Sequence, residues 1–157
     1  MSLKGDRATV LEDISYFMNT VATRGGVVSL VTVGSGAALD QAQAVVGYSA
    51  NQSGVQPIGI LTCDVVNYDL TRQHINFYRD EVQLGGKVSI ISKGWVTTNN
   101  ITGNPGAGDY AVLSNSGNIG TVTVANFPTN NNVGLPKVGR WLSTKDEDGY
   151  AKLQIDL

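Results

Sequence analysis

Thiol and imidazole chemistry is almost missing from this chain, which holds one cysteine and one histidine in 157 residues. Cys63 has no second cysteine for an intrachain disulfide, and thiolate metal sites are excluded with it. His74, the only imidazole, argues against triads and multi-histidine metal sites built within the chain. Charge is scarce as well: 15% of residues are charged, against the usual quarter of a globular protein. Eleven basic and thirteen acidic residues leave a formal net charge of −2. No run of Lys or Arg tracks a phosphate backbone, so nucleic acid is not an expected partner. Long apolar runs are also lacking. None approaches the ~20 residues that a spanning helix needs, so no membrane is expected either. Met1-Ser2-Leu3-Lys4-Gly5-Asp6 has no apolar signal-peptide core behind it, which predicts a chain made and used in a cytosol or released by lysis.

What the chain does have is glycine, 19 residues of it, and a hydrophobic fraction of 41%. A chain of this length fits one domain with a single core. The first 25 residues differ in texture from the rest. Thr9 and Glu12 have the spacing of a capping box, and Val10, Ile14, Phe17, Met18 and Val21 recur at three- and four-residue intervals. That spacing predicts a helix from about residue 9 to 21, stopped by Arg24-Gly25-Gly26. From Gly26 onward, short β-branched runs are cut by Gly, Asn, Pro and Asp, the pattern of many short strands. Strands are predicted near residues 27–33, 42–48, 58–66, 87–91, 95–98, 110–113, 119–124, 138–144 and 150–155. Gly34-Ser35-Gly36, Gly85-Gly86, Gly103-Asn104-Pro105-Gly106, Asn115-Ser116-Gly117 and Asp148-Gly149 supply turn residues between them. Lys93-Gly94 marks the hinge or bulge of a bent strand pair. The expected fold is mainly β: residues 1–25 an N-terminal arm with a short helix, and residues 26–157 a compact antiparallel β-barrel, β-tulip or sandwich.

Residues that could carry chemistry are few and scattered. Cys63 comes after Ile58-Gly59-Ile60-Leu61 and reads as a buried small hydrophobe; an enzyme would need it within hydrogen-bond reach of His74 in a cleft. Otherwise His74 reads as a hydrogen-bonding residue of a loop or interface. Asp146-Glu147-Asp148-Gly149 lacks the alternating ligands and distant Glu of a calcium loop and reads as a solvated hairpin turn. The glycine-rich stretches at residues 34–36 and 103–108 have neither the Lys-Ser/Thr of a phosphate loop nor the last glycine of a dinucleotide fingerprint, and read as turns. No catalytic residue, metal site or cofactor is expected. Trp95 and Trp141 lie inside strand patterns and read as core or interface anchors. Tyr68, Phe77 and Tyr78 belong to a polar excursion over residues 62–82 and read as interface anchors or, alternatively, as a sugar-binding face.

Four segments carry a resemblance. Gly25-Gly26-Val27-Val28, Pro57-Ile58-Gly59-Ile60, the run from Glu81 to Val96 with its Gly86-Lys87-Val88 and Lys93-Gly94-Trp95-Val96, and Gly106-Ala107-Gly108-Asp109 resemble, in that order, the tailed-phage capsid decoration (cement) proteins of the phage lambda head decoration type. The similarity spans about residues 25–117. It implies a β-barrel or β-tulip, a homotrimer on local three-fold positions of the shell, and a leading arm that lies across the phage major capsid protein. It implies no catalytic residue. The location it implies is the capsid exterior, after assembly in the host cytoplasm.

On this reading the arm residues Leu3, Val10, Leu11, Ile14, Phe17 and Met18 are the expected capsid contacts, because an apolar stripe there has no obvious place on a small barrel. The competing expectation is that the predicted helix packs on its own barrel. A reading from another class is a receptor- or carbohydrate-binding appendage that uses Tyr68, Phe77 and Tyr78.

Overall fold

The computed structural model describes residues 2–31, 45–48, 55–66, 81–82, 84–127 and 135–157; Tyr68, His74, Phe77 and Tyr78 lie outside them. The described elements are β1 (Ala8–Met18), β2 (Ala22–Thr23), β3 (Val27–Leu30), β4 (Val45–Gly47), β5 (Pro57–Val66), β6 (Glu81–Val82), β7 (Lys87–Thr98), β8 (Tyr110–Leu113), β9 (Ile119–Val122), β10 (Lys137–Trp141) and β11 (Ala151–Asp156), with two 3-10 turns at Asn115–Gly117 and Val124–Asn126. The fold is mainly β. A strand lies at each expected place, with the expected bounds for β8 and within a residue of them for β5, and the two expected over residues 87–91 and 95–98 are one strand, β7.

Nine strands form one sheet in the order β1-β4-β3-β5-β7-β11-β10-β8-β9, and β1 also pairs with β7. That second pairing bends β1, β4, β3, β5 and β7 into a ring, so the sheet is barrel-like and nearly closed. All of these ladders are antiparallel except β1 with β4. Strands β2 and β6 form a separate pair. β7 is long enough to serve two neighbours on one edge: β5 pairs with it from Lys87 to Ile91, and β11 from Lys93 to Thr98.

The continuous apolar runs have a direct cause in this topology. Strands β3, β5 and β7 are covered on both faces, so neither face needs polar residues. Val27, Ile60 and Ile91 stand opposite one another across the three strands and face a core that also holds Leu113, Trp141 and Leu153. Their chain neighbours Val28, Leu61 and Ile90 face a second core with Met18, Val82 and Val88. The three strands are thus a wall between two cores.

The expected N-terminal helix is corrected: residues 8–18 are a strand. β1 runs antiparallel to β7 from Ala8 opposite Trp95 to Phe17 opposite Lys87. Tertiary demand overrides the helical spacing here, because the β7 edge carries backbone donors and acceptors that only a strand can satisfy. Thr9, Val10, Ile14, Tyr16 and Phe17 also suit a strand through their β-branched or aromatic side chains. The apparent capping box has another use, since the Glu12 carboxylate accepts from Ser89 Oγ on β7. The expected bulge does exist: Thr9 faces Gly94 and Leu11 faces Lys93, which leaves Val10 as the extra residue on β1.

Candidate interaction surface

The leading segment is stitched to the body before β1 begins. Leu3 bridges to Thr98, and Lys4 N donates to Thr97 O at 2.9 Å. Thr98 Oγ1, fully buried, lies 3.0 Å from the carbonyl oxygens of Ser2 and Gly25. Lys4 Nζ reaches Asp146 Oδ2 at 2.9 Å and sits 4.2 Å from the centre of the Tyr150 ring. The hydrogen bond to Lys4 holds the Asp146 carboxyl below its ordinary value, and the same bond raises Lys4. Asp146 Oδ1 meanwhile accepts from the backbone of Asp148 and Tyr150, which makes residues 146–150 the hairpin turn that the sequence predicts.

The six expected arm contacts divide into two groups. Leu3 and Met18 are buried in the chain's own cores, where packing already uses them, so neither is free for a partner. Phe17 is half-buried. Val10, Leu11 and Ile14 are exposed at 72%, 56% and 52%. These three stand within five residues of one strand, in a stretch from Thr9 to Ile14 that is exposed throughout. Single exposed hydrophobes are ordinary on any surface, and it is a contiguous apolar patch that signals an interaction site.

The two tryptophans have different surroundings. Trp141 is fully buried, with its indole Nε1 donating to Gly120 O at 3.3 Å. Trp95 is half-buried on the outer face of β7, with Lys152 Nζ 3.5 Å from its ring centre. Val10 and Leu142 line a shallow groove beside it, together with Lys93, Gln154 and Asp156. Tyr68, Phe77 and Tyr78, the other expected anchors, fall outside the described residues, as does His74.

Cys63 is half-buried, and its thiol lies 3.9 Å from the Thr62 hydroxyl. Thr62 Oγ1 in turn lies 2.9 Å from Ser89 Oγ, so Glu12, Ser89 and Thr62 form a hydrogen-bonded chain that ties β1 to β7 and β5. Groups of three or more His, Cys, Asp or Glu with metal-binding geometry are absent among the described residues. No described helix is long and apolar enough to cross a membrane.

A cluster of cations is hidden in the linear sequence. Lys93, Lys152 and the pair Lys137 and Arg140 come from three separate strands, but the order β7-β11-β10-β8 gathers them on one outer face. Strand pairing reveals this, because β7, β11 and β10 are distant in sequence and adjacent in the sheet. No family model and no curated protein matches this chain.

Proposed function

We propose that the chain is a structural virion protein, a decoration or cement protein that binds the exterior of an assembled phage capsid as a trimer and stabilises the lattice. The observation that carries this reading is the exposed stretch of β1, where Val10, Leu11 and Ile14 are all more than half exposed. A second observation supports it. The segments that resemble decoration proteins are neighbours in space: residues 25–28 lead into β3, residues 57–60 open β5, and residues 87–96 are most of β7, so three of the four build the wall between the cores. Fold alone does not assign function, and the reading therefore rests on the surface.

The mechanism is mass action. A protein that binds only the assembled lattice shifts the equilibrium away from disassembly by its binding free energy. A trimer presents three such surfaces, and each contact after the first forms at high effective concentration. The barrel-like sheet serves as a rigid mount, and the major capsid protein is the partner. Assembly takes place in the host cytoplasm.

Co-sedimentation with expanded capsids from the same source tests the reading. Replacing Val10, Leu11 and Ile14 together by Ser is expected to abolish binding while leaving a folded chain. Undiminished binding by that variant would remove β1 as the contact surface.

A further inference from the structure

We infer that the outer face of the β7-β11-β10-β8 sheet is a docking surface for a second copy of this chain, whose acidic β10–β11 hairpin it receives head to tail. The register assembles that face. Lys93 stands opposite Asp156 and Thr97 opposite Lys152. Trp95, Gln154, Arg140 and Tyr110 succeed one another across four strands. Lys137 reaches the same face, with its Nζ 4.9 Å from the centre of the Tyr110 ring. Four cations thus share a surface with Asp156, on a chain whose formal net charge is −2.

The complement is on the same molecule. Asp146, Glu147 and Asp148 form the tip of the hairpin that joins β10 to β11. Asp146 is committed to Lys4 and to its own turn, whereas Glu147 and Asp148 are exposed. A surface that complements a different surface of the same molecule makes a heterologous contact, which closes into a ring when the rotation allows. A two-fold contact through this face would instead set cation against cation. The inference deepens the trimeric reading and rests on it: each protomer lays its hairpin on the face of the next. Charge alone contributes little at a solvated surface, but this face also offers apolar area. Leu142, exposed at 42%, stands beside Trp95 in the adjoining groove.

Single-stranded nucleic acid fits the face less well. Bases stack on open aromatic rings, and here Lys152 lies over Trp95 while Lys137 and Arg140 lie over Tyr110. An acidic protein surface meets those ammonium and guanidinium groups without displacing them.

Analytical ultracentrifugation of the full chain decides between these partners. The wild type is expected to form an oligomer that weakens between 0.1 M and 0.5 M NaCl. Arg140→Glu with Lys152→Glu, or Glu147→Lys with Asp148→Lys, is expected to raise the dissociation constant about tenfold or more, with circular dichroism unchanged. A chain carrying all four reversals is expected to associate again, since its face and hairpin have exchanged charge. A strictly monomeric wild type overturns the inference, as does an oligomer indifferent to these reversals. Binding of an oligothymidine that is lost with Arg140→Glu, at unchanged mass, overturns it in favour of nucleic acid. Capsid co-sedimentation run alongside separates the two failures: a monomeric variant that still binds shells leaves the lattice reading standing.

Discussion

Tyr48 sits where only glycine leaves room. Its ring lies against Gly26 and Gly117, and a Cβ placed on Gly117 would stand 2.7 Å from ring carbons. Gly117 also has φ +73°, so Gly117→Ala combines overlap with backbone strain and is expected to cost about 1–3 kcal/mol or more in urea unfolding. Burial drives the Tyr48 phenol well above its ordinary value, against the opposing effect of backbone groups of Thr23 and Gly26. Among the described residues no hydrogen bond of normal geometry reaches its hydroxyl. This raised value fixes the sign of the pH dependence. The folded state keeps the phenol proton above pH ~10, where the unfolded chain releases it, so its contribution to stability is complete below pH ~10 and declines above it by about 1.4 kcal/mol per pH unit. Tyr48→Phe is expected to flatten that alkaline decline in thermal melts; an unchanged slope would assign it to other groups. Trp141→Ala, which empties a fully buried site, is expected to cost about 3–5 kcal/mol in the same unfolding assay. At this scale much was legible. Trp141 inside a strand pattern read as an anchor, and Gly85, Gly103, Gly117 and Gly149, placed in predicted turns, all have positive φ. The space that Tyr48 fills was not legible, because Gly26, Tyr48 and Gly117 meet only through the folded chain.

Strand β1 shows how an element can mislead. Thr9 and Glu12 have capping-box spacing, and apolar residues recur at helical intervals, but both features belong to a strand with bulges. Each bulge shifts the alternation by one residue and so blurs a period of two. The β7 edge decides the outcome, and nothing local in residues 8–18 announces it. The consequence for experiment is practical. Removing residues 1–24 removes a full neighbour of β7 and the buried Leu3 and Met18, so that truncation is expected to unfold the chain rather than test a contact. Exposed side chains are the better probe. Val10→Ser, Leu11→Ser and Ile14→Ser are each expected to change stability by about 0.5 kcal/mol or less, since surface substitutions rarely do more. Gly94 is the opposite case. Its φ is +145°, and it faces the Ala8 backbone across the ladder, so Gly94→Val is expected to break the β1–β7 pairing and lower the urea midpoint sharply. A midpoint unchanged by Gly94→Val would contradict the closure of the barrel-like sheet through β1.

At the scale of the whole molecule, the mainly β fold was readable from short apolar runs and turn residues, and the wall of β3, β5 and β7 explains why those runs do not alternate. The sheet order was not readable, and with it went the basic outer face, since pairing partners such as Trp95 and Gln154 are distant in sequence. Exposed aliphatic residues lie on β1, cations on β7, β10 and β11, and acids at the hairpin tip. The most direct test of the lattice reading is titration of the full chain onto expanded capsids from the same source, with the bound copies counted per major capsid subunit and the temperature of shell disruption recorded. Saturation at a fixed ratio, with a rise in that temperature, is the expected result; binding that never saturates, or shells no more stable when coated, would contradict it.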